Sequence, residues 1–258
     1  MQPIKIIKIG GNIIDNQEAL NTFLANFTKI SNPKILVHGG GKLATKLAKK
    51  MGIDVKMTNG RRITDAETLT IITMVYAGEI NKNIVAKLQA NNCNALGFSG
   101  ADGNSIISKK RPVKEIDFGF VGDVEKVNTQ ILDVLLQQNI TPVFCAISHD
   151  KKGQLLNTNA DTIASELAIA FAKNYETELY YCFEKNGVLL NVEDENSVIE
   201  DINSNSYKTL LKKGIIADGM LPKLSNCFNA IQHNVTKVCI GKPSMLFKTD
   251  SKFTTIKK

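Results

Sequence analysis

No apolar run in this 258-residue chain approaches the ~18 residues that a membrane-spanning helix needs. The start also lacks a continuous hydrophobic stretch ahead of a small-residue cleavage site, so a cytoplasmic protein without a secretory signal is expected. Cysteine is sparse: Cys93, Cys145, Cys182, Cys227 and Cys239 are odd in number and never in CxxC spacing. That pattern speaks for reduced, packed thiols and against a disulfide framework, a metal site or a redox pair. The triplets Asn26-Phe27-Thr28 and Asn234-Val235-Thr236 then carry no glycosylation meaning. The densest basic run, Lys109-Lys110-Arg111-Pro112-Val113-Lys114, lacks the interleaved aromatics on which single strands stack, and Glu115 and Asp117 follow it. A solvated hairpin face is expected there rather than a nucleic-acid surface.

The chain is 43% hydrophobic and 22% charged, ordinary values for a globular protein. Its net charge of +7 suits a small anionic substrate such as a nucleotide. Short apolar runs alternate with helical patterns. Strands are expected at residues 4–9, 34–37, 95–98, 142–147, 179–183 and 237–240. Asp15-Asn16-Gln17-Glu18 reads as a helix start with an acid at the N-cap, and Thr64-Asp65-Ala66-Glu67 as a capping box opening a long helix to about Asn91. A hairpin is expected over 105–123, and helices from Asn128, over 159–173, and at about 205–213 and 219–233. This alternation implies right-handed βαβ units, hence an α/β fold: an open αβα sandwich with a mainly parallel central sheet. A soft boundary near residues 173–177 divides the chain into lobes 1–175 and 176–258.

Glycines end two of the strands. Residues 4–11, IKIIKIGG, place Lys8 in an otherwise apolar strand just before Gly10-Gly11, and the second strand ends in His38-Gly39-Gly40-Gly41. Glycine lets the backbone approach an anion and aim N–H groups at it, and a following helix N-terminus adds favourable potential. Together with Lys8, the two turns suggest a phosphate cradle with a fixed positive charge. A P-loop is excluded, because Gly41-Lys42 is followed by Leu43 and Leu36 stands at the first glycine position. Gly39-Gly40-Gly41-Lys42-Leu43-Ala44 fits the loose GxGxxA dinucleotide pattern, but the acid expected ~20 residues on is missing. Dinucleotide binding stays open on these residues alone. Nothing matches the HRD or DFG segments of protein kinases.

Five ordered motifs extend the pattern: Lys8-Ile9-Gly10-Gly11, Val37-His38-Gly39-Gly40-Gly41, Asn59-Gly60-Arg61-Arg62-Ile63-Thr64, Leu156-Asn157-Thr158-Asn159-Ala160-Asp161 and Asp218-Gly219-Met220-Leu221-Pro222-Lys223. Over about residues 4–240 the chain resembles the N-acetylglutamate kinase family, of the amino-acid kinase superfamily. The resemblance implies a carbamate kinase-like fold, use of ATP with Mg²⁺, and the second step of arginine biosynthesis. It implies that Lys8 and Lys223 stabilise the transferring phosphoryl group, that Gly11 and Gly40 donate backbone N–H groups to it, and that Asp161 orients the lysines. It further implies that Arg62 clamps the substrate α-carboxylate, with Asn157 and the Gly40-Gly41 backbone completing that pocket. The N-terminal lobe would then hold acyl-glutamate and phosphate, and the C-terminal lobe ATP. Nucleotide contacts would come from Gly10, Gly11, Glu184, Lys185, Gly187, Leu189, Ile215, Ile216 and Ala217, with no protein-held metal.

Elementary chemistry agrees. A γ-carboxylate nucleophile with pKa near ~4.3 is already ionised at neutral pH, so no general base is required. Phosphoryl transfer asks for positioning and charge neutralisation, which two lysines supply, with Mg²⁺ riding on the phosphates. Other readings of single residues stay open: Asp161 with Asn159 as a helix cap pair, Lys223 as a solvated helix lysine, and Arg61 in place of Arg62. His38 is read as a structural histidine.

Three features depart from the family or leave it underdetermined. Cys182-Phe183-Glu184-Lys185-Asn186-Gly187-Val188-Leu189 stands where the family pattern is Asp-Val-x-Gly-Val, so Lys185 is a charged intrusion. Only a few residues precede Lys8, whereas arginine-inhibited members carry an extra helix there; an arginine-insensitive homodimer is expected, with residues 65–91 as its interface. The acyl group also stays open between acetyl and succinyl, with Gly78, Gly97 and residues 99–103 as candidates to shape its pocket. NGRRIT followed by LNTNAD points away from aspartate, carbamate and nucleoside-monophosphate kinases. The remaining rival is a basic α/β protein that binds nucleotide or nucleic acid without kinase chemistry.

Overall fold

Ile4, Ile6, Ile7 and Ile9 are all buried in the first strand, β1 (Ile4–Ile9), as expected of a strand covered by helices on both faces. The structure, a computed structural model, describes residues 3–58, 60–216 and 220–258. Asn59, Asp218 and Gly219 of the motifs above, and Ala217 of the expected nucleotide contacts, lie outside the described residues. After β1 come α1 (Gly11–Asp15), α2 (Gln17–Phe27), β2 (Lys34–His38), α3 (Gly41–Lys50), β3 (Met57–Thr58), β4 (Arg61–Arg62), α4 (Ala66–Thr73) and α5 (Asn81–Ala90). The middle of the chain forms β5 (Ala95–Phe98), β6 (Ile106–Lys110), β7 (Gly122–Val127), α6 (Gln130–Gln137), β8 (Thr141–Phe144), β9 (Ile147–His149), β10 (Leu155–Asn157) and α7 (Ala160–Phe171). The last part forms β11 (Thr177–Cys182), β12 (Asp201–Ile202), α8 (Ser204–Lys212), α9 (Leu221–Gln232), β13 (Lys237–Gly241) and β14 (Thr254–Ile256).

Among the described residues the main sheet has eight strands in the order β12-β14-β13-β11-β1-β2-β8-β5. Every neighbouring pair is parallel except β13–β14. Strands from before residue 175 lie on one side of the β1–β11 seam and the later ones on the other. The carboxyl ends of β1, β2 and β11 therefore meet at a point where strand order reverses, the crevice that open α/β sheets use for ligands. A second sheet, β10-β9-β6-β7, and the small β3–β4 hairpin sit beside this edge.

Several local expectations are corrected. Residues 142–147 are not one strand: β8 ends at Phe144, and after Cys145-Ala146 the chain enters the second sheet as β9. Residues 141–148 are buried throughout, so no alternation in the sequence marked the break. The first helix starts at Gly11, and Asn16, not Asp15, caps the next one by accepting from the Ala19 N–H at 3.0 Å. In the Thr64–Glu67 box the cap is Asp65, which accepts from the Thr68 N–H at 2.8 Å. The long helix is interrupted by a π-helical turn, Met74–Ile80, in which the Asn81 N–H reaches back to the Tyr76 carbonyl. The five cysteines are free and buried, and burial pushes the Cys239 thiol up to about 11 and Cys145 to about 12.

Candidate active site

Lys8 is the last but one residue of β1, opposite Val37 of β2 and Tyr181 of β11. Its ammonium lies 2.7 Å from Asp161 Oδ1, and Lys223 Nζ lies 3.1 Å from Asp161 Oδ2. One carboxylate thus bridges two lysines that are 215 positions apart in sequence. The side chains are 12%, 18% and 13% exposed for Lys8, Asp161 and Lys223, so water screens the trio only weakly. Asn159 caps α7 by accepting from the Asp161 and Thr162 N–H groups, which leaves the Asp161 carboxylate free to face the lysines. Beneath it, the Tyr181 hydroxyl donates to the Asp161 carbonyl at 2.9 Å. Lys223 lies over the Tyr181 and Phe183 rings, 5.3 and 5.8 Å from their centroids. Burial opposes ionisation of Asp161, but the charges of Lys8 and Lys223 outweigh it and hold the carboxyl well below the usual range. The trio sums to one net positive charge, suited to a polyanion.

The glycine turns flank this charge. The Gly10 N–H donates to the Cys182 carbonyl at 3.0 Å, tying the end of β1 to the end of β11. A Cβ on Gly11 would meet only Asp15 Oδ2, at 3.6 Å, so the space beside its backbone is open. Gly40 precedes α3, whose N-terminus has no side-chain cap, leaving its first N–H groups available to an anion. Gly40 must lack a side chain, because a Cβ would overlap Ile80 and come within 2.9 Å of the Tyr76 ring. Lys42 Nζ joins the helices behind the two turns by donating to Asn12 Oδ1 at 2.6 Å.

Arg62 reaches this second turn from β4. Its Nη2 donates to the Gly41 carbonyl at 3.0 Å and to Thr45 Oγ1 at 2.8 Å, with the Tyr76 hydroxyl alongside. The neighbouring Arg61 is exposed. Asn157 Nδ2 donates to Thr64 Oγ1 at 3.0 Å, so the segments carrying Arg62 and Asn157 are joined.

The nucleotide segment is placed less directly. Phe183 packs against both Lys223 and Gly10, and Glu184 lines a cavity of about 750 Å³ between α2 and residues 242–248. Lys185 pairs with Glu195 at 3.7 Å. Gly187 packs on Thr254, Leu189 is buried and bridged to Val198, Ile216 is buried, and Ile215 is partly buried. No hydrogen bond or ion pair among the described residues joins these positions to Lys8 or Lys223. Of the residues considered for an acyl pocket, Gly97, Gly100 and Gly103 are each crowded by neighbouring protein atoms, whereas Gly78 is open.

His38 is held as the neutral ring. Nδ1–H donates to the Gly39 carbonyl at 2.8 Å, and Nε2 accepts from Asn81 Nδ2 at 3.0 Å. Burial lowers its pKa to about 4. The folded pKa is below the unfolded value of ~6.5, so this stabilisation is complete above pH ~6.5 and is lost as pH falls toward 4. Urea unfolding should therefore show a loss approaching roughly 3 kcal/mol over that window, and His38→Gln should flatten the slope. Equal slopes for the two proteins would contradict this role.

Tyr76, Ile80, Thr45 and Tyr181 shape the site without belonging to the motif reading, and Thr64 and Phe183 belong to it without having been given a role. Only the π-helical turn, which aims Tyr76 and Ile80 at Gly40, is of a kind frequent at functional sites, and it is not visible in hydrophobic periodicity.

Comparison with known proteins fits this geometry. A sequence model of the amino acid kinase family matches residues 3–242. An acetylglutamate kinase of Cytophaga hutchinsonii is 55% identical over 257 residues, covering 99% of this chain and 97% of that protein. Among solved structures, smu.665 of Streptococcus mutans superposes with a TM-score of 0.82 at 25% identity, covering 99% of each chain. Carbamate kinase of Giardia lamblia shares the fold, with a TM-score of 0.70 at 16% identity, over 99% of this chain and 98% of that one.

Proposed function

Because this chain belongs to the amino acid kinase family, we propose that it transfers the γ-phosphoryl group of ATP to the γ-carboxylate of N-acetyl-L-glutamate. The product is N-acetyl-L-glutamyl 5-phosphate, made in arginine biosynthesis. The acceptor is taken from the name borne by the Cytophaga relative at 55% identity. The observation that carries the mechanism is the Lys8–Asp161–Lys223 bridge at the strand-order reversal. Lys8 and Lys223 bracket the β- and γ-phosphates from the two sides of the β1–β11 seam, and Asp161 keeps both ammonium groups in place. Gly11 and Gly40 give backbone N–H groups to the transferring phosphoryl group, and Gly10 lets the chain turn away from it. These charges offset the repulsion between an anionic nucleophile and an anionic phosphate, which is where such a site gains most of its rate.

Arg62, beside the free N–H groups of α3, takes the α-carboxylate, with Gly41 and Asn157 completing the pocket. The substrate γ-carboxylate is ionised at neutral pH, so the attacking oxygen needs no base. ATP lies over the later lobe, residues 176–258, along Glu184, Lys185, Gly187 and Leu189 and the Ile215-Ile216-Ala217 stretch, while residues 1–175 hold the acceptor. The uncapped α3 terminus, the open side of Gly11 and the net positive trio fit a triphosphate. Mg²⁺ would come with the ATP phosphates, because it keeps several waters and takes few protein ligands.

The protein works in the cytoplasm as a homodimer. Its interface is the helical stretch 65–91, a reading supported by Met74, a large apolar side chain left exposed on the π-helical turn. Sedimentation at twice 28.3 kDa checks the dimer, and a monomer would refute it.

Trapping the product with hydroxylamine tests the reaction. ATP-dependent hydroxamate is expected with N-acetylglutamate, less with N-succinylglutamate and none with aspartate. Hydroxamate mainly from N-succinylglutamate reassigns the acyl group. Hydroxamate from none of the three defeats the kinase reading.

A further inference from the structure

Gly119-Phe120-Val121-Gly122, on the way into β7, threads between the segments that carry Arg62 and Asn157. The Thr64 N–H donates to the Phe118 carbonyl at 2.9 Å and the Phe120 N–H to the Thr64 carbonyl at 2.7 Å. On the far side, the Asn157 N–H donates to the Phe120 carbonyl at 2.9 Å, and Val121 forms a parallel bridge with Asn157. Phe120 therefore hydrogen-bonds to both segments through its own backbone. The direct link between them, Asn157 Nδ2 to Thr64 Oγ1, closes beside this strap on a fully buried threonine.

Both glycines are needed for so close a fit. Gly119 has φ +69°, and a Cβ on it would overlap the Thr64 carbonyl oxygen. A Cβ on Gly122 would lie 2.9 Å from Leu156, Ser148 and Thr158 atoms at once. Asp117 Oδ1 accepts from the Gly119 N–H at 2.8 Å and sets the turn. Lys110 and Arg111 lie over the Phe120 and Phe118 rings, so part of the basic run holds the strap's aromatic side chains.

We propose that this strap is a positioning element for the acceptor pocket: it fixes the distance between Arg62 and Asn157, and Gly119 is its determining residue. The inference rests on the acceptor-binding role given above to Arg62 and Asn157. Residues 119–122 lie outside the nucleotide segment assigned above. A loosened strap therefore weakens acceptor binding and leaves ATP binding alone, a separation that general destabilisation does not produce.

Initial rates of hydroxamate formation by the full chain, with each substrate varied in turn, test this. Gly119→Ala is expected to raise KM for N-acetylglutamate by roughly tenfold or more and to leave KM for ATP within about twofold. Gly52→Ala is the control, since Gly52 has φ +71° but open space around a Cβ; it should change neither KM. Thr64→Val removes the hydroxyl that meets Asn157 and should raise the acceptor KM with the same selectivity. Gly119→Ala that folds and shifts both KM values together, or neither, overturns the proposal. If Gly119→Ala does not fold, Thr64→Val decides: a folded variant with an unchanged acceptor KM overturns it. A wild-type chain that makes no hydroxamate overturns the functional reading and this inference with it.

Discussion

Lys8→Ala is expected to lower kcat by roughly two to three orders of magnitude, the usual cost of removing one preorganised transition-state charge. KM for ATP and for N-acetylglutamate should move far less, because Lys223, the glycine turns and Arg62 still bind the ground state. This split follows from where Lys8 sits. It is anchored in a central strand between β2 and β11, so its ammonium cannot follow the phosphate and must be placed before it arrives. A fall in kcat/KM carried entirely by KM would mean that Lys8 merely binds nucleotide. Wild-type turnover would remove it from the mechanism.

Asp161→Asn has the second large effect, chiefly on stability. Removing the carboxylate leaves two ammonium groups facing each other in a site with little water. Breaking a poorly solvated charge network of this kind costs about 3 kcal/mol, or roughly 6–12 °C in Tm for a chain of this size. ATP brings its own negative charge to the same place, so saturating ATP should restore more Tm in the variant than in wild type. The sign with pH is also determined. The folded carboxyl is held below its unfolded value near ~3.9, so its contribution is complete above that pH and is lost as pH falls below it. The gap in stability between the two proteins should be constant from pH 8 to 5 and close only in stronger acid. Equal Tm values at neutral pH would show that the bridge contributes nothing to folding.

The phosphoryl end of the site was legible in the sequence because its chemistry is written in rare combinations. A lysine inside an isoleucine strand and a glycine pair after it have few purely structural explanations, and the fold brings Lys8 to Asp161 and Lys223 and ties Gly10 to the end of β11. Asp161 was ambiguous with a helix cap, and Asn159 turns out to be the cap, which leaves the Asp161 carboxylate to the lysines. Less was legible where tertiary contacts decide. The turn from β8 into β9 is hidden in a run buried throughout, and the π-helical turn preserves the apolar pattern of the helix it interrupts. Tyr76 could not be connected to Gly40 and Arg62 from sequence, since nothing local in MVYAGEI points to either. Phe120 acts through its backbone, which carries no residue signature at all, and the Thr64 hydroxyl meets a partner 93 positions away. The nucleotide segment was less legible for a different reason: Gly187 and Leu189 also meet Thr254 and Val198, contacts that the local sequence does not show.

The central claim is that a carboxylate oxygen of the acceptor attacks the γ-phosphorus. It is tested most directly with N-acetylglutamate labelled with ¹⁸O in both oxygens of its γ-carboxylate, turned over with unlabelled ATP and hydroxylamine. Attack by the carboxylate makes a bridging ¹⁸O in the acyl phosphate. Hydroxylamine then displaces phosphate at the carbonyl carbon, so inorganic phosphate carrying one ¹⁸O should appear in equal amount to hydroxamate. Phosphate without label would mean that water, not the acceptor, takes the phosphoryl group, and would contradict the mechanism outright.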